Sequence, residues 1–336
     1  MFNIQELAEL IYEKTINDLN YFVHRSMVVV GNNSTGKSTL LKELLNKIII
    51  EGNDKFYYID AQNRVVTNST KAEFSVHYSE FSVRTILTTR FKPDYFAKED
   101  VFDATYSGGV VTYSELMSDL NTYNKLFNNF MSCDLKKGLL MRRDSFIEGN
   151  DTLYYKDNID IGSISSSEAA KIRLIMEINY ANNQECKVVI IDEFDDHFDT
   201  ENMISFMNKL QEYYSKLRFI FVIHNFEAIV RISGFDAIVY NNEKTSPVKI
   251  ISLDCDDITE LGQVYRIRSR YIGKKKSSEV LLSECISELI KCGKIDEKNR
   301  KKILLIEREK LNSKEKILYD YIVEHTEDES RITNKI

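Results

Sequence analysis

The chain has 336 residues, 43% of them hydrophobic and 29% charged, a balance that allows one large core or two modest ones and excludes global disorder. Its five cysteines are odd in number and include no CxxC pair, which excludes a disulfide framework or a metal knuckle and points to free thiols in a reducing compartment. The net charge of -7 is uneven: residues 264–317 carry sixteen Lys or Arg against eight Asp or Glu, a local +8 that leaves -15 for the rest, so an acidic body and a basic C-terminal segment offer two surfaces of different character.

The first residues, MFNIQELAELIYEK, have acids where a signal peptide would need an apolar core, and no apolar run is long enough to span a bilayer. The expectation is a cytoplasmic protein without a membrane partner. Ile4, Leu7, Ala8, Ile11 and Leu19 recur at helical spacing and predict an amphipathic helix. A strand is predicted at 27–30, followed by GNNSTGKST and a helix with Leu40, Leu41, Leu44, Leu45 and Ile48 on its buried face. KFYYIDAQNR reads as a second strand and its exit loop. Residues 71–144 mix short aromatic strands, a turn at Gly108 and a helical stretch near 113–130, and FIEGNDTLYYKDN has the alternation and turn residues of a hairpin. SISSSEAAKIRLIMEI predicts a helix opened by capping serines, with Ala169, Ile172, Ile175 and Ile178 on one face. KVVIIDEFDDHFD follows, an uninterrupted apolar strand suited to the centre of a parallel sheet that breaks into carboxylates. A helix at 204–210, a strand FIFVIH ending at His224 and a strand at 237–240 complete this region, and beyond Asp254 the segments are long, charged and helical in pattern.

Two of these stretches carry chemistry. Gly31, Asn32, Asn33, Ser34, Thr35, Gly36, Lys37 and Ser38 match GxxxxGK[ST] in full, between a predicted strand and a predicted helix, with Thr39 continuing the turn. In such a turn the glycines let the backbone wrap a phosphate, consecutive N–H groups and the helix N-terminus bind its oxygens, the lysine neutralises the β and γ groups and the serine ligates Mg²⁺. A chance glycine-rich turn is the bland alternative. Asp192 at the end of the apolar strand is then placed to hold Mg²⁺, and Glu193 to accept a proton from a water attacking the γ-phosphate. A solvated acidic loop accounts for Asp195 and Asp196.

The order of these pieces resembles the ABC-type ATPase heads shared by transporters, chromosome-maintenance and recombination-repair ATPases and many bacterial defence ATPases: Lys37 in its turn, Ser165 to open a helix, Asp192 and Glu193 ending a strand, His197 to Asp199, and His224 ending a second strand. The resemblance covers residues 20–245. It implies an α/β P-loop NTPase with a mixed, mainly parallel sheet over residues 1–254, carrying an irregular insertion at 67–144, and a helical, basic segment at 255–336. It also implies ATP and Mg²⁺ as cofactors and a homodimer formed on ATP. Ser165, Ser166 and Ser167 would contact the γ-phosphate held by the opposite protomer, Asp199 would lie at the dimer seam, His224 would bond the γ-phosphate and orient water, and Gln62 would sense Mg²⁺. His197 is read as structural; a zinc site or simple packing is the alternative for the histidines. Ser167 stands where the family has a glycine, which suggests slow or partner-dependent turnover, and the predicted N-terminal helix replaces the strands that carry the adenine-stacking aromatic.

Only 127 residues separate Lys37 from Ser165, without sustained heptads, so a long coiled-coil arm is excluded from that interval. The reading is an ATPase switch for an effector such as a nuclease or toxin, in antiphage defence or nucleic-acid processing. The alternatives are a DNA-repair or DNA-binding ATPase that uses residues 264–317 on phosphates, and a non-hydrolysing nucleotide-gated scaffold.

Overall fold

The computed structural model describes residues 4–20, 25–31, 35–61, 81–91, 115–116, 118–139, 151–155, 159–160, 164–196, 198–232, 234–240, 247–252, 277–292, 294–311 and 313–333. Asn32, Asn33, Ser34, Gln62, His197, much of the expected insertion and the expected boundary at 254/255 lie outside the described residues. In chain order the elements are α1 (Ile4–Asn20), β1 (Ser26–Val30), α2 (Lys37–Ile50), β2 (Phe56–Ile59), α3 (Val83–Phe91), α4 (Leu120–Met131), β3 (Lys136–Leu139), β4 (Asp151–Tyr155) and β5 (Ile159–Asp160). They continue with α5 (Ser166–Asn183), β6 (Val188–Ile191), α6 (Thr200–Tyr213), β7 (Arg218–Ile223), α7 (Phe226–Arg231), β8 (Phe235–Tyr240), β9 (Pro247–Ser252), α8 (Ser277–Cys292), α9 (Glu297–Ile303) and α10 (Ser313–Thr333). The chain forms two compact units, Met1–His24 with Gly36–Val222, and Arg25–Thr35 with Ile223–Ile336.

In the first unit β6 lies between β2 and β7, parallel to both, with Val188 opposite Phe56 on one side and Arg218 on the other. Every residue of Val-Val-Ile-Ile is buried, as an unbroken β-branched run requires when both faces of a strand are covered. The helix α2 buries Leu40, Leu41, Leu44, Leu45 and Ile48 as expected, and α1 packs on it through Leu7, Ala8 and Ile11. Tyr12 of α1 stacks on Phe56 at 5.7 Å and Lys47 reaches Glu9 at 2.8 Å, so the N-terminal helix is fastened to the strand layer and to α2.

The helix α5 is buried almost all round, from Ala169 to Ala181, and its interior includes Arg173 and Glu177. The predicted hairpin is met only in part. The strand β4 forms, but it pairs antiparallel with β3, Lys136 opposite Tyr154, and with β5, Tyr155 opposite Ile159; the expected first arm near Ile147 lies outside the described residues.

In the second unit β1 runs parallel to β8, Ser26 opposite Phe235, and β8 runs antiparallel to β9, Ala237 opposite Ile251. Parallel pairing at β2/β6, β6/β7 and β1/β8 with one antiparallel edge is the mixed, mainly parallel α/β arrangement expected. The three helices α8, α9 and α10 close around Leu282, Cys285, Ile286, Ile303, Leu318 and Ile322, and Arg308 grips Asp320 through two 2.7 Å hydrogen bonds. Among the described residues the cysteines are free thiols, and no helix is long and apolar enough to cross a membrane.

Candidate functional site

The acidic turn after β6 is built by alternating anchors. The Asp192 N–H donates to the Ile59 carbonyl of β2 at 3.0 Å, and the Phe194 N–H to the Val222 carbonyl of β7 at 3.0 Å, so the chain stays tied to both neighbouring strands as it leaves the sheet. Phe194 is buried against Phe221, Phe198 and Phe206, with ring centres 4.7, 5.3 and 6.2 Å away. With the aromatic rings holding the inside, the intervening carboxylates are displayed together. Glu193 takes φ 46, the left-handed region that costs a non-glycine residue about 1 kcal/mol or more, and its N–H donates to Asp192 Oδ1 at 3.0 Å.

Lys37 faces this turn. Just before it stands Gly36, whose φ of 104 is a conformation that a side chain would resist. The helix α2 then begins at Lys37 with no side-chain cap at Gly36, which leaves its positive end suited to an anion. The Lys37 residue is 6% exposed. Burial pulls its ammonium below the usual lysine range, and the charges of Asp195, Asp192 and Glu193 work against that fall. Glu193 is pushed up to about 7, first by burial, then by Asp196 and Asp192 and a hydrogen bond with Asp196, while Lys37 pulls it down. Asp192, Glu193, Asp195 and Asp196 bring hard oxygen donors together within one turn, the ligand chemistry that Mg²⁺ takes. Asp192, with the exposed Ser38 beside Lys37, would hold that ion.

Behind the turn lies a small cavity of about 30 Å³, room for one or two waters, lined by Ile59, Asp60, Arg173, Asp192 and Glu193 among others. Asp60 and Arg173 were not among the sequence candidates. Their signal was an Arg–Glu pair four residues apart inside the otherwise apolar IRLIMEI.

The serines open α5 as predicted. Ser165 is its N-cap: its Oγ accepts the Glu168 N–H at 3.3 Å, Glu168 Oε2 accepts the Ser165 N–H at 3.4 Å, and the Ser165 hydroxyl donates to the same carboxylate at 2.9 Å. Ser165 and Ser166 are exposed and Ser167 is half-buried. Asp199 caps α6, accepting the Asn202 N–H at 2.9 Å and its side-chain amide at 2.6 Å, which holds the carboxyl below the usual range. In the second unit the Gly31 N–H donates to the Ile223 carbonyl at 3.4 Å, so half-buried His224 follows directly on the residue that meets the start of the glycine turn. Thr35 is half-buried and Thr39 exposed.

No family description and no curated protein matches the chain in sequence. Among solved structures it is similar to an Smc head domain with a coiled coil and joint from Pyrococcus yayanosii, at 16% identity and TM-score 0.34 over 50% of this chain, and it spans only 31% of that one. It is similar to the SMC head domain from Thermotoga maritima at 13% identity and TM-score 0.36, covering 67% of this chain and 89% of the other. It is also similar to cbiO1 of Clostridium perfringens, part of an ABC transporter complex, at 14% identity and TM-score 0.36, covering 74% and 84%.

The capping box at Ser165 has a direct consequence. Ser165→Ala removes the acceptor for the Glu168 N–H and lowers stability by about 1 kcal/mol in urea denaturation, whereas Ser166→Ala leaves the cap intact and the midpoint close to the parent's.

Proposed function

We propose that the chain binds ATP with Mg²⁺ at residues 31–38 and at the acidic end of β6, hydrolyses it, and acts as an ATPase switch that dimerises on ATP and controls an effector. The observation that carries the reading is the buried Lys37 at the start of α2, within the electrostatic reach of Asp195, Asp192 and Glu193. In this reading Lys37 neutralises the β- and γ-phosphates, and the open end of α2 receives their oxygens. Ser38 and Asp192 hold the Mg²⁺, which supplies charge neutralisation on the phosphates when bound. Glu193 accepts the proton of a water in the adjoining cavity; its pKa of about 7 suits a base working near neutrality. By the family resemblance alone, His224 would orient water and Gln62 would sense the metal.

In the dimer, Ser165, Ser166 and Ser167 of one protomer face the γ-phosphate of the other, with Asp199 at the seam. The Ser165 hydroxyl is already engaged by Glu168, and Ser167 stands where a glycine would let the backbone approach. Both features favour slow or partner-dependent turnover, and they keep the nucleotide-gated scaffold as the second reading. The effector, a nuclease or toxin of an antiphage system, docks on the basic segment 264–317. Leu304 and Leu305, 63% and 82% exposed beside Lys301 and Lys302, favour a protein there over nucleic acid.

Lys37→Ala abolishes ATP binding in calorimetry. Glu193→Gln keeps the Mg²⁺ site and the nucleotide but lowers phosphate release by roughly 10²- to 10⁴-fold, and the ATP-bound dimer persists in light scattering, whereas Asp192→Asn weakens Mg²⁺-dependent binding from the outset. Hydrolysis by Glu193→Gln at the parental rate removes Glu193 from the reaction. For the basic segment, binding to DNA or RNA that falls steeply between low and physiological salt supports phosphate contacts, and a salt-insensitive complex with a neighbouring gene's product supports the protein effector.

A further inference from the structure

Glu177 is fully buried, and a carboxylate in such a place needs cations and hydrogen bonds around it. It accepts Arg90 NH1 at 2.8 Å on one oxygen and Arg173 Nε at 2.6 Å on the other, and the Tyr57 hydroxyl donates to it at 3.0 Å. Arg90 also donates to the Tyr58 carbonyl. Arg173 goes further: its NH2 donates to the Asp60 carboxylate at 2.9 Å and to the Asp60 carbonyl at 3.3 Å. Two cations and two anions thus join α3, α5 and the end of β2 in one charge-balanced cluster.

This cluster is attached to the candidate site at two points. Asp60 and Arg173 line the cavity shared with Asp192 and Glu193. Asp60 also follows Ile59 directly, and the Ile59 carbonyl holds the Asp192 N–H. Two residues nearer the start of α5, the Lys171 ammonium lies 5.6 Å over the ring of Phe198, the residue before Asp199. A movement of α5 therefore reaches the wall of the cavity through a guanidinium that cannot follow the helix without dragging Asp60.

We infer that Arg173 is a positioning residue: through Asp60 it locks the cavity wall beside Glu193 to helix α5, so that the seating of the serines at the head of α5 and the position of the water beside Glu193 are coupled. The inference rests on the ATPase reading for its consequence in turnover, but the mechanical link exists without nucleotide and can be measured by itself. A bidentate guanidinium suits the task because it holds Glu177 and Asp60 at once; an ammonium in its place satisfies one of them.

The test uses the full chain with Asp60→Asn, which keeps the volume and leaves Arg173 on Glu177, together with Arg173→Lys and the double variant. Without nucleotide, amide exchange at Asp192 and Glu193 is expected to rise about tenfold in each single variant, with no further rise in the double variant because the two act as one unit. With ATP, kcat is expected to fall by about 10- to 100-fold while KM stays within about twofold of the parent, as for a displaced catalytic geometry. Unchanged exchange at Asp192 in Asp60→Asn overturns the link. Parental kcat in both single variants overturns its role in turnover and reduces the cluster to a stabilising one. A parent without Lys37-dependent hydrolysis overturns the ATPase reading instead, and the exchange arm then decides the link alone.

Discussion

The pairing on which this chain depends is the buried Lys37 against the carboxylates that end β6. An ammonium out of water is costly, and the charges of Asp195, Asp192 and Glu193 offset only part of that cost. The balance is incomplete, since burial first, and then Asp196 and Asp192, push Glu193 up to about 7. A divalent cation would relieve the charge that Asp192, Glu193 and Asp196 bring into this turn. The apolar architecture holds this arrangement: every residue of β6 is buried, Phe194 and Phe198 pack together in the turn, and Asp192, Glu193 and Asp195 stay half-buried beside them.

The starts of α2 and α5 divide two tasks. Gly36 gives α2 a left-handed entry and no side-chain cap, so its dipole end is open to an oxyanion. Ser165 and Glu168 give α5 a complete capping box, so its N-terminus is already satisfied within the chain. A ligand that takes the Ser165 hydroxyl would have to displace it from Glu168, a local rearrangement at the head of α5. The buried charges at Arg173 and Glu177 give such a rearrangement a stiff route to the cavity beside Glu193.

Much of this was legible in the sequence, for reasons tied to particular residues. The helix after Gly36 follows from the 3.6-residue spacing of Leu40, Leu44 and Ile48, and β6 and β7 from β-branched and aromatic runs too short for helices. The N-terminal helix was legible from the spacing of Leu7, Ala8 and Ile11. The helix α3 was not: VRTILTTRF is rich in β-branched residues, which have weak helical preference, and its place comes from packing and from Arg90 reaching Glu177 across 87 residues. The strand β3, KKGL, has little strand propensity and forms because β4 supplies its partner. Arg173 and Glu177 look like the solvent face of an amphipathic helix until their partners 113 and 87 residues away are known; local periodicity has no access to such pairs.

The most direct measurement is a crystal structure of the chain with Mg²⁺ and a non-hydrolysable ATP analogue. The expected result places the phosphates on residues 31–38, Lys37 Nζ against the β and γ oxygens, and the metal between Ser38 Oγ and the Asp192 carboxylate, with Glu193 facing the γ-phosphate across one water. A nucleotide bound elsewhere, or Lys37 still turned to the carboxylates with no phosphate beside it, would contradict the assignment of this site.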